Sequence, residues 1–110
     1  MSVSSELDAL LREFSEEGGP VMKTLAQMSQ GALDQAGIDE KTAVLVRIAA
    51  LVALDAPPAS YLVHFALAEE AGLDSAAISG TLAALAPLVG TVRTVSAAGR
   101  MLQALQTATA

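Results

Sequence analysis

The run from Ala43 to Leu54, AVLVRIAALVAL, constrains this chain more than any other stretch. It is apolar on every side of a helix except at Arg47, and a helix apolar all round is a buried one. Asp39 and Glu40 precede it, where negative charge favours a helix N-terminus. Asp55-Ala56-Pro57-Pro58 follows, and the residue before a proline avoids the helical region. The run therefore reads as a central helix with a sharp end. It falls short of the about 20 apolar residues that a membrane span needs. The N-terminus shows no basic region followed by an apolar stretch, as a signal peptide would. A cytoplasmic protein with no membrane partner is the expectation.

The remaining segments also read as helices. Ser5-Glu6-Leu7-Asp8 suits the cap of a first helix, with Leu7, Leu10, Leu11 and Phe14 as its apolar stripe. Gly18-Gly19-Pro20 ends it. A second helix starts at Pro20, where a missing N–H costs nothing. It carries Val21, Met22, Leu25 and Met28, and is expected to break or fray at Ser29-Gln30-Gly31, before a turn at Gly37. A fourth helix runs from Pro58 to Ala71 and closes at Gly72. Asp74 caps a fifth, expected to be interrupted near Pro87 and Gly90. A sixth runs from Thr91 to about Gln106, with a frayed end. No segment alternates as a strand does between hairpin turns. The fold class is all-α: one domain over 1–110, about six helices, built on a helical hairpin from Ile38 to Ala71.

Composition adds a second constraint. Hydrophobic residues make up 53% of the chain. A domain of this size buries only roughly two-thirds of its unfolded surface. The aliphatic surplus is best hidden between copies, so self-association is expected. The net charge is −6 and the 6 basic residues are scattered, which argues against nucleic acid as a partner. With no cysteine, disulfides, thiolate metal sites and thiol redox chemistry are excluded. A single histidine rules out a multi-histidine metal site within one chain. No cofactor and no metal are implied.

Few residues can carry chemistry. His64 is the only side chain whose unperturbed titration lies near neutrality. Ser60 stands four residues before it, on the same helix face, so a Ser60–His64 hydrogen bond, one ingredient of nucleophilic catalysis, is a candidate. Arg47 lies inside an apolar helix and needs a partner there. It faces either an anionic ligand or a structural carboxylate, with Asp55, Glu69 and Glu70 in range. Tyr61 offers a hydroxyl to the same neighbourhood or packs its ring and bonds locally. Arg93 is a further cation. Lys41 reads as solvated, and Asp55 as a cap for the Pro-Pro helix start.

In order along the chain, IDEKTAVLVRIAALVALDAP, SYLVHFALAEEAGLD and DSAAISGTLAALAPLVGTVRTVSAAGRML resemble the successive helices of the carboxymuconolactone decarboxylase family. That family shares its fold with the AhpD-like alkylhydroperoxidases, and the resemblance spans 38–105. It implies an AhpD-like helical bundle assembled as a homotrimer or homohexamer. It also implies a small-molecule ligand beside the histidine of the second segment, which is His64. The thiol peroxidases carry Cys-x-x-Cys before that histidine; Pro57 and Ser60 stand at those places. Their upstream glutamate falls at Ala43-Val44-Leu45, which holds no acid. Serine cannot replace a thiolate that attacks peroxide. The resemblance therefore points to the cysteine-free branch and a lyase acting on a lactone acid, with His64 and Ser60 as catalytic candidates and Arg47, Tyr61 and Arg93 as substrate-binding ones. An oligomer that keeps the fold without the chemistry is the alternative.

Overall fold

A computed structural model describes residues 3–17 and 19–109, and in them the chain forms six helices and no strand. They are α1 (Val3–Glu17), α2 (Gly19–Gln35), α3 (Glu40–Leu54), α4 (Pro58–Glu70), α5 (Ser75–Val89) and α6 (Thr91–Thr109). The backbone falls into two compact units, 1–37 and 38–110.

In the first unit, α1 begins at Val3, so Ser5 lies inside its first turn rather than at its cap. Leu7, Leu10 and Leu11 are exposed. Arg12 Nε donates to Asp8 Oδ2 at 2.8 Å across one helical turn. α2 runs unbroken through Ser29-Gln30-Gly31, so those residues do not interrupt it. The side chains of Phe14 and Met22, and Gly18 of the expected break, lie outside the described residues.

The second unit follows the sequence more closely. Asp39 caps α3: its Oδ1 accepts from the Thr42 amide at 2.8 Å and its Oδ2 from the Thr42 hydroxyl at 2.9 Å. The backbone bond from Thr42, with its hydroxyl second, holds the Asp39 carboxyl below the usual carboxylate range. Asp74 caps α5 in the same way, accepting from Ala77 N at 2.9 Å.

Two helices end identically. At the end of α4, Gly72 takes a left-handed φ of 79° while Gly72 N bonds Glu69 O and Leu73 N bonds Ala68 O. At the end of α3, Asp55 takes φ 57° while Asp55 N bonds Val52 O and Ala56 N bonds Leu51 O. Glycine adopts that backbone freely; a residue with a Cβ is strained there. Asp55 is the only described non-glycine residue with positive φ.

α3 packs against α4, α5 and α6. Val44, Ile48 and Val52 of α3 meet Tyr61 and Ala68 of α4 and Ala97, Met101 and Ala104 of α6 in one core. Ile48, Val52 and Tyr61 are completely buried, and each such side chain contributes about 1.5–3 kcal/mol. The expectation of a helix buried all round is not met, because Val46 and Leu54 of α3 face outward. One stripe suffices for this core, and the opposite stripe is left over. α5 is the most apolar helix, yet it has no fully buried residue. It continues through Pro87 to Val89, and the break comes at Gly90, φ 88°. Pro87 lies in the last turn, where it removes one helical donor and only two residues of the helix follow. The sixth helix holds to Thr109 rather than fraying at Gln106.

Candidate functional site

The polar groups of the second unit gather at the elbow where α3 gives way to α4. Helix ends expose carbonyls that have no partner within the helix. Here α6 supplies the donors. Arg93 Nη1 donates to Ala53 O at 2.7 Å. Arg100 Nη1 donates to Asp55 O at 3.2 Å and Ala56 O at 3.3 Å. Ser96 Oγ donates to Asp55 Oδ1 at 3.1 Å, and Arg100 Nη2 to Asp55 Oδ2 at 3.4 Å. Residues 93, 96 and 100 share one face of α6 by helical spacing. Together they stitch α6 across the C-terminal end of α3, where cations also suit the helix dipole.

Asp55 is therefore the closing residue of α3 and the acceptor for Ser96 and Arg100. The expected cap of α4 does not form: Pro57 takes that position without a side-chain bond. The Asp55–Arg100 pair is 37% and 35% exposed at its side chains, so water screens it and its worth is modest. Arg100 and Ser96 were not legible as site residues. Their partners lie 41 to 45 residues away in the chain, and nothing local marks them.

His64 sits half-buried on α4, one turn beyond the elbow. Its Nδ1 lies 2.8 Å from Ser60 O. The bond expected from the spacing thus forms to the backbone carbonyl of Ser60, not to its hydroxyl. A carbonyl only accepts, so Nδ1 carries hydrogen and Nε2 of the neutral ring holds the lone pair. No described residue bonds Nε2. The Ser60 hydroxyl is left out of the contact, which removes the geometry of a serine nucleophile activated by this ring.

Tyr61 is completely buried, its ring 6.1 Å from that of Phe65 at 36°. Its hydroxyl has no hydrogen-bond partner among the described residues, so the local bond expected for it is not made. Burial, and second the charge of Asp55, push its ionisation up, while Arg100 acts in the opposite sense. Arg47 is half-buried on α3 and engaged in a polar or electrostatic contact. Asp55 makes an ion pair with Arg100.

A cleft of about 430 Å³ opens among α4, α5 and α6, lined chiefly by Phe65, Ile78, Leu82, Met101 and Leu102, with Glu69 as its charged member. None of His64, Ser60, Tyr61, Arg47 or Arg93 lines it. The five candidate residues are thus divided. Ser60 and His64 meet through the backbone, Tyr61 is in the core beside the elbow, Arg47 is half-buried on α3, and Arg93 is bound to the end of α3.

Among the described residues no helix is long and apolar enough to cross a membrane. The sequence model of the carboxymuconolactone decarboxylase family matches residues 19–104, reaching back into α2. No curated protein and no solved structure matches.

Proposed function

The chain belongs to the carboxymuconolactone decarboxylase family, and from that premise we propose a cysteine-free, self-associating member that uses His64 as its acid–base group. Its ligand is a small carbonyl-bearing or lactone metabolite. The observation that carries this reading is the bond from His64 Nδ1 to Ser60 O. It leaves Nε2, on a half-buried ring, as the atom through which the imidazole can exchange a proton with a ligand. Thiol chemistry is closed to a chain without cysteine. Arg93 and Arg100 bind backbone carbonyls of the elbow, which favours a ligand of little charge over a multiply anionic one.

The other reading is a binding or scaffold oligomer that has kept the fold and lost the reaction. It is favoured by the apolar cleft, which contains none of the candidate polar residues.

Both readings are tested by the melting temperature across a panel of lactones and aromatic carbonyl acids, measured on the wild type, His64→Ala and Ser60→Ala. The acid–base reading expects a ligand-dependent rise that is lost in His64→Ala. Ser60→Ala keeps the carbonyl and retains the rise. For any turnover found, His64→Ala lowers the rate by about 100-fold or more. A rise that survives His64→Ala removes the imidazole from the site and leaves the scaffold reading.

A further inference from the structure

α5 is apolar along its length and still has no fully buried residue, so it leaves apolar surface uncovered. Ser75, Ile78, Ser79 and Leu82 recur every three or four residues and therefore share one face of α5. Phe65 and Glu69 share a face of α4 for the same reason, and Ala98, Met101 and Leu102 a face of α6. These three faces line the cleft of about 430 Å³. That volume lies within the roughly 300–1,000 Å³ of small-molecule sites, whose walls are likewise apolar with a few polar groups.

The polar groups are collected at one end. Glu69 is in the last turn of α4 and Ser75 opens α5, so both stand at the turn joining the two helices, with Ser79 one helical turn further on. The apolar wall continues from there through Ile78 and Leu82. A ligand with an apolar body and a polar head matches that order.

The charge of the head follows from its surroundings. Glu69 is the only charged side chain lining the cleft among the described residues. Glu70 and Asp74 flank the same turn. Lys41 also stands near it, its Cε 3.8 Å from where a Cβ on Gly72 would lie, but it does not line the cleft. Residues 75–110 hold no acid, and their two bases, Arg93 and Arg100, bond carbonyls of the elbow. One ammonium against three carboxylates leaves this end negative, which attracts a cation and repels an anion. Phe65, one helical turn before Glu69, adds an aromatic ring, and such rings attract cations to their faces.

We propose that the cleft binds a small hydrophobic amine. Its ammonium lies between Glu69 and the ring of Phe65, and its aliphatic or aromatic body lies against Ile78, Leu82 and Met101. The site is separate from His64 and does not rest on the acid–base reading. It is also separate from Leu88 and Val92, which stand at the other end of α5.

Isothermal titration calorimetry at neutral pH tests the proposal with three heads on two bodies. The probes are hexylamine, hexanol and hexanoate, then phenethylamine, phenethyl alcohol and phenylpropanoate. At least one amine should bind, about five-fold or more tightly than its alcohol, the upper end for a screened ion pair, and the matching carboxylate should not bind. Glu69→Gln, at an exposed position, should bring that amine down to the level of the alcohol. Ala98→Met fills the cleft and should abolish binding with the helical circular dichroism unchanged. If that variant loses its helical signal, Ser79→Met at the exposed rim takes its place. His64→Ala should leave the amine bound. The proposal is overturned if neither amine binds, as when a second copy seals the cleft, or if a carboxylate binds as well as its amine. It is equally overturned if the preference survives Glu69→Gln, if binding survives the filled cleft, or if His64→Ala abolishes it.

Discussion

Asp55 occupies a position that glycine would hold without strain, as Gly72 does at the end of α4. Its side chain must return more than the strain removes. The structure lets that balance be worked out. Replacing Asp55 with Ala keeps the Cβ, hence the strain, and deletes the contacts of Ser96 and Arg100. The hydrogen bond to Ser96 is worth about 1 kcal/mol, and the screened ion pair about 0.5–1 kcal/mol, so Asp55→Ala costs about 1.5–2 kcal/mol. Asp55→Gly deletes the same contacts but relieves the left-handed backbone, which returns roughly 1 kcal/mol. The glycine variant should therefore lie between the alanine variant and the wild type. Urea unfolding followed by circular dichroism reads the three midpoints, with equal slopes required for the comparison. If glycine matches or exceeds the wild type, the side-chain contacts return no more than the strain costs, and if alanine matches the wild type, the carboxylate contributes nothing. If glycine and alanine unfold together, the backbone strain is absent.

The Asp39 carboxyl is held below its usual range by the Thr42 amide, so its stabilisation is present above the unfolded-state value and disappears as pH falls through the folded one. An acid unfolding curve should lose part of its slope below about pH 4 in Asp39→Ala, and an unchanged curve would contradict the cap. Tyr61 has its ionisation raised by burial, so the fold favours the neutral phenol, and stability falls as pH rises above about 10, the value in the unfolded chain. As the only tyrosine in a chain without tryptophan, it can be followed directly by ultraviolet absorbance; a folded midpoint at the unfolded value would be evidence against a buried ring. Leu88 and Val92, 83% and 87% exposed at the α5–α6 junction, are the side chains that the proposed self-association would cover. Val92→Asp should shift sedimentation towards a smaller species, and a wild type that sediments as a monomer at all concentrations would refute self-association.

The parts of the fold that were legible in the sequence are those set by neighbours in the chain. Asp39, Asp74 and Gly72 act on groups within five residues, and their signals are local. Ser60–His64 was legible as a spacing but not as a pair of atoms, since the helix offers the ring a carbonyl as well as a hydroxyl. Arg100 was invisible because its value depends on the placement of α6 over a helix end forty-five residues earlier. The outward half of α3 could not be foreseen either. A helix apolar on all sides carries no period to say which stripe is covered within one chain.

The stitch between α6 and the elbow also sets an order of events during synthesis. Ala53 emerges 40 residues before the arginine that binds its carbonyl. At about 5–20 residues per second, a growing chain waits roughly 2–8 s with the end of its central helix open to water. The hairpin of α3 and α4 is thus a provisional object on the ribosome, and it becomes permanent only when the sixth helix arrives to fasten it.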